Sequence, residues 1–180
     1  MLGIIIITIS LLLDGILTNY LPYLVNDLSL FTPLLTLVSI SLLYPYYRKK
    51  EKYFFLMIFI TGIVYDLFYT NLLFFNGLLF LLIAYISKII YRNYEINYFK
   101  LIIYIILMIT IYELVTGLVL FIFNLVPVTF YKIGYKIVHS LILNIIYGEL
   151  VYFVLNKLPK KYKKISINWY LSFFIKNVDI

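Results

Sequence analysis

Long apolar stretches recur along this chain, and the short breaks between them carry proline, asparagine or charge. The first covers about Leu2–Leu24, with Pro22 as its breaker, and the second about Leu28–Tyr47, with Pro33 in its opening turns and Pro45 near its end. Arg48-Lys49-Lys50-Glu51-Lys52 closes the second. The third covers about Tyr53–Tyr69 and the fourth about Leu72–Tyr91, parted only by Thr70 and Asn71. The fifth runs over about Leu101–Phe123, and a connection through Pro127 leads to the sixth, about Ile133–Leu155. Each approaches the ~20 apolar residues that one crossing of a ~30 Å hydrocarbon layer requires. The pattern predicts an all-α membrane bundle of about six spans over residues 1–155, followed by a tail over residues 156–180. The first stretch has no basic residue before it and no small-residue cleavage site after it, so it reads as a retained span rather than a signal peptide.

Projection at ~100° per residue places the polar positions on faces. Gly3, Ser10, Asp14 and Thr18 share one arc of the first helix, and Thr61, Gly62, Tyr65, Asp66 and Tyr69 line one side of the third. Thr110, Glu113, Thr116 and Gly117 cluster on the fifth, and Ser140, Asn144 and Gly148 recur every four residues on the sixth. Stripes of small and polar residues let membrane helices approach and hydrogen-bond, so these spans are expected to pack on one another.

Composition agrees: 64% of the 180 residues are hydrophobic and 13% are charged, against about 25% charged in soluble domains. The mean hydropathy is +1.03. No connection is long enough to fold as a soluble domain. With no cysteine, disulfides, thiolate metal sites and cysteine nucleophiles are excluded.

The net charge of +7 matters through its location. If the amino terminus is cytoplasmic, Lys132 and Lys136 are the only two of the fifteen Lys and Arg residues outside. That bias predicts a multi-pass protein with both termini in the cytoplasm. The tail, with Lys160, Lys161, Lys163 and Lys164 followed by Trp169, Tyr170, Phe173 and Phe174, suits anionic lipid headgroups, at about 1 kcal/mol per charge. Tyr20, Tyr23, Tyr44, Tyr46, Tyr47, Tyr91 and Tyr94 form aromatic belts near span ends. No nucleic-acid partner is expected.

Four of the eight acids, Asp14, Asp66, Glu113 and Glu149, lie inside apolar runs with no Lys or Arg near them in sequence. A charge at mid-bilayer costs about 2.5–3.5 kcal/mol on insertion scales, so such groups normally face a bundle interior or a partner. They have three uses in view: packing or partner docking through hydrogen bonds, binding of a cationic or polar solute, or an ion relay. Asp14 and Glu113 sit near mid-span, Asp66 nearer the outer end and Glu149 nearer the inner end, a scatter that weighs against one ion site. An enzyme lacks its parts here. There is one histidine, His139, read as a packing residue, and no Gly-rich phosphate loop, HExxH or GxSxG pattern. No cofactor and no metal site are expected.

The run Phe59-Ile60-Thr61-Gly62-Ile63-Val64-Tyr65-Asp66-Leu67, followed by Leu72-Leu73-Phe74-Phe75-Asn76-Gly77-Leu78, resembles the MreD family of rod shape-determining membrane proteins. There a Gly-x-x-x-Asp-Leu-type stretch precedes a short turn and a Gly-led apolar helix. Phe31-Thr32-Pro33-Leu34-Leu35 resembles the family's Pro-Asp-Leu start, with Leu34 where the family often has the acid. The resemblance implies a non-enzymatic scaffold of cell-wall elongation in the bacterial cytoplasmic membrane. It would bind the single-span protein MreC and, through it, support MreB and the RodA–transpeptidase synthase. It also implies structural or partner-contact roles for Pro33, Gly62, Asp66, Asn76 and Gly77, beside Asp14, Glu113 and Glu149. MreD proteins look similar in fold to the substrate-binding S-components of energy-coupling-factor vitamin transporters, which supply the rival function. That rival usually carries Ala-x-x-x-Ala on its first span, whereas the one alanine here is Ala84.

Overall fold

The computed structural model describes residues 2–20, 33–70, 72–94, 96–124 and 130–157. The basic aromatic tail beyond Lys157, the breakers Pro22 and Pro127, and Thr32 and Asn71 lie outside the described residues. The described residues form α1 (Leu2–Tyr20), α2 (Leu35–Tyr47), a 3₁₀ turn (Arg48–Lys50), α3 (Glu51–Tyr69), α4 (Phe75–Asn93), α5 (Tyr98–Ile122) and α6 (Phe130–Asn156). No strand occurs among them.

Five stretches are long and apolar enough to cross a membrane, and one of them, Leu35–Tyr69, covers α2 and α3 together. Of the expected second span, about Leu28–Tyr47, α2 covers Leu35–Tyr47, and residues 28–32 lie outside the described residues. α2 itself has 13 residues, about 20 Å of rise, short of the ~30 Å that hydrocarbon demands. The charged 3₁₀ turn Arg48–Lys50 separates it from α3.

α2 is the axis of the bundle. Every residue from Leu35 to Tyr44 is buried, and the helix packs against α1, α3, α4, α5 and α6. A helix apolar on all sides is the expected occupant of such a centre, and its polar members Thr36, Ser39 and Ser41 are covered as well. Around it, α3 lies on α4 and α5 on α6. The α3–α4 contact is close because two glycines meet: a Cβ on Gly62 would lie 2.5 Å from Gly77 Cα and 2.6 Å from Asn76 O. Without side chains between them, the two backbones touch.

Pro45 sits inside α2. Lacking an N–H, it leaves the carbonyl of Ser41 without its helical donor, a costly omission where no water is at hand. Tyr104 of α5 makes good the loss, its hydroxyl donating to Ser41 O at 2.8 Å with Ser87 Oγ 2.8 Å away.

At the α2–α3 turn, Glu51 accepts from the Tyr44 hydroxyl and from Lys88 Nζ, each at 2.6 Å. The Lys88 ammonium, then the Tyr44 hydroxyl, hold the Glu51 carboxyl below its ordinary range.

Candidate functional site

Two of the intramembrane acids do the same job. Asp14 of α1 accepts the backbone N–H of Leu35 at 2.8 Å on one oxygen and that of Thr36 at 2.9 Å on the other. Those are the first residues of α2, whose leading N–H groups have no helical partner. Asp66 of α3 accepts the N–H of Asn76 at 2.9 Å, the Asn76 side-chain amide at 2.7 Å and the Thr70 hydroxyl at 2.7 Å. Gly77 N lies 3.4 Å from it, at the start of α4. Each carboxyl is fully buried and meets the positive end of a neighbouring helix dipole, where acceptors and negative charge are favoured. Local chemistry explains why these helices need help. Leu34 and Phe74, the residues at the two N-cap positions, have no side-chain acceptor, and neither makes a side-chain cap. The cap comes from another span instead.

Further polar groups close around this frame. Asn76 passes the interaction on, its Oδ1 accepting from the Tyr112 hydroxyl of α5 at 2.9 Å. Asn144 of α6 accepts the N–H of Leu34 at 2.9 Å. Ser10, Ser39 and Tyr147, from α1, α2 and α6, bring three hydroxyls together, with Ser10 Oγ 2.6 Å from each of the other two.

Glu113 is 3% exposed, with Oε2 3.4 Å from Lys136 Nζ of α6. Its Oε1 has no hydrogen-bond partner. The pairing joins α5 and α6, and it gives Lys136, counted above among the outside charges, a place on the face of α6 toward α5. The signal was present: Lys136 precedes Ser140 by four residues, one turn along the polar stripe.

Among the remaining sequence-predicted residues, Pro33 is buried just before α2, and Gly62, Asn76 and Gly77 lie at the α3–α4 contact. Glu149 goes elsewhere. It is exposed on α6, away from the buried face of Ser140, Asn144 and Gly148, and it makes no hydrogen bond or ion pair with a described residue. His139 stacks on the Tyr135 ring at 3.8 Å, with Nδ1 2.8 Å from Tyr135 O. Sequence reasoning missed Tyr104, Tyr112 and Tyr147, three tyrosines deep in the bundle rather than in an aromatic belt. Among the described residues, no group of three or more His, Cys, Asp or Glu side chains is arranged to hold a metal.

The arrangement fixes the starts of α2 and α4 to neighbouring spans. Asp14 has its oxygens engaged by backbone N–H groups, and Asp66 has its own engaged by a backbone N–H, the Asn76 amide and the Thr70 hydroxyl. Neither the curated proteins nor the solved structures contain a match to this chain. The family model of the rod shape-determining protein MreD matches residues 1–162, and with buried polar stripes, apolar outer faces and five membrane-length stretches beside that match, the chain belongs to the MreD family of membrane proteins that determine rod shape.

Proposed function

We propose that the protein is a non-enzymatic scaffold of the wall-elongation machinery in the bacterial cytoplasmic membrane, binding MreC and, through it, supporting MreB and the RodA–transpeptidase synthase. In this reading the chain has six spans and both termini in the cytoplasm, with the basic tail on anionic lipid. The observation that supports it most is the use made of Asp14 and Asp66. Their carboxyls terminate on backbone N–H groups of α2 and α4, which spends intramembrane acids on a fixed shape and leaves little for a passing solute.

A second reading has one observation in its favour. Glu113 Oε1 and Thr116 Oγ1, one turn apart on α5, are buried without hydrogen-bond partners, and a polar solute would satisfy both. This is the substrate-binding subunit of an energy-coupling-factor type transporter. Co-purification separates the two. The tagged full-length chain, co-expressed with MreC or with a transporter's ATPase and coupling subunits, is expected to retain MreC through solubilisation and size exclusion. Retention of the transporter subunits in place of MreC would overturn the scaffold reading.

A further inference from the structure

Three of the four intramembrane acids are buried and meet partners within the protein, Glu113 through one oxygen only. Glu149 is the exception. On α6 the buried face holds Ser140, Asn144, Gly148 and Val151. Glu149 lies on the opposite side, within an arc of about 120° that also carries Val138, Ile142, Ile146, Leu150 and Phe153. Those five side chains are between 48% and 62% exposed. α6 is also the least covered of the membrane-length stretches, with 22% of its most apolar window buried.

The depth of Glu149 makes the exposure costly. α6 has 27 residues, about 40 Å of helix against ~30 Å of hydrocarbon, and Glu149 lies about 10 Å from its carboxyl-terminal end. A centred α6 therefore places Glu149 about 5 Å inside the apolar layer. Lys157 is not its partner; its Nζ sits 4.3 Å over the Phe153 ring, a turn beyond Glu149. Away from their ends, where Lys52, Arg92, Asn93 and Lys100 are exposed, the exposed faces of α3, α4 and α5 carry Leu, Ile, Phe and Tyr. A lipid-facing surface has no use for a carboxyl, and one placed there calls for a hydrogen-bond donor or cation from another chain.

We propose that the outer face of α6, centred on Glu149 with Ile146, Leu150 and Phe153 around it, docks a membrane-spanning helix of a partner that presents a lysine, arginine or other strong donor near its Asn156-side end. A second copy docked symmetrically fits poorly, because it brings Glu149 toward its own counterpart. The inference rests on the scaffold reading, in which the single-span helix of MreC is that partner.

The test uses the full-length chain co-expressed with MreC, and reads MreC recovered per tagged chain. Glu149→Lys and Leu150→Trp are expected to lower recovery at least tenfold, while Glu149→Gln, which keeps an acceptor, retains more than Glu149→Lys. Leu107→Trp, on the exposed face of α5, is expected to change nothing. Expression and monodisperse elution check that the variants fold, and Glu149 makes no hydrogen bond or ion pair with a described residue for them to disturb. A photo-crosslinking residue at Ile146 or Phe153 is expected to form adducts with MreC, and one at Leu107 is not. Wild-type recovery by Glu149→Lys and Leu150→Trp, adducts from Leu107 instead, or chain-to-chain adducts from α6 would each overturn the α6 assignment while leaving the scaffold reading intact. Absence of MreC from the wild-type eluate would defeat both.

Discussion

A carboxylate inside hydrocarbon is worth its insertion cost only where several donors converge on it, and Asp66 meets that condition. It draws on Asn76 N, the Asn76 amide and the Thr70 hydroxyl, while Asp14 draws on two backbone N–H groups. Leaving a buried donor without its acceptor costs about 1–3 kcal/mol. Asp66→Leu is therefore expected to lower the thermal unfolding midpoint of the detergent-solubilised protein clearly, and Asp14→Leu to do so as well but by less. An unchanged midpoint for both would remove the capping role. The Asn76 partner of Asp66 was readable from sequence because it lies ten residues away, on the next helix. The partners of Asp14 were not, because they are backbone groups beyond a long connection, and backbone donors carry no residue signature. The orientation of Glu149 was within reach of sequence: helical projection sets it 100° from Gly148 and farther from the rest of the stripe. Titration adds a smaller effect at the α2–α3 turn. Because the Glu51 carboxyl is held below its ordinary range by Lys88, its contribution to stability is present at neutral pH and is lost as pH falls below that range. Glu51→Gln is expected to flatten the acid side of the stability profile.

Helices in this bundle are placed by contacts that reach across spans, and two of them lend themselves to measurement. Gly62 touches the Gly77 backbone, so a methyl there must push α3 and α4 apart, an overpacking cost of about 1–3 kcal/mol. Gly134 of α6 has nothing within 4 Å of the corresponding position. Gly62→Ala is expected to lower the unfolding midpoint and Gly134→Ala to leave it level or raise it; equal effects would contradict the close approach. The Pro45–Tyr104 relation makes a coupled prediction. Tyr104→Phe orphans Ser41 O and is expected to destabilise, but less so in a Pro45→Ala background, where an N–H returns to that carbonyl. Additive losses in the double-mutant cycle would show that the two are independent. The apolar runs located five of the six described helices within a few residues. Of the second, about Leu28–Tyr47, the described residues show helix from Leu35, with Pro33 and Leu34 before it outside the helix. Asp14 and Asn144, from α1 and α6, meet the backbone where α2 starts.

For the whole molecule, membership of the MreD family fixes the level at which the parts must add up: a membrane protein whose product is cell shape. A central helix buried from Leu35 to Tyr44, two acids spent on helix starts and largely apolar outer faces make a body that holds one shape. The charge distribution predicts its orientation. Accessibility labelling of cysteines placed at Lys50, Arg92 and Ile180, in a chain that has no cysteine of its own, is expected to find all three in the cytoplasm; a periplasmic Ile180 would overturn an even number of spans. Loop charge carried that expectation, while a docking surface is not legible in the sequence, since a lipid-facing apolar surface is built of the same residues. The scaffold account as a whole is tested most directly by cell shape after depletion of the protein. The account predicts that rods widen and round up as the protein is lost, and that the wild-type gene restores them while Asp66→Leu does not. Cells that stay rod-shaped through full depletion, with growth limited instead by an external solute, would contradict it.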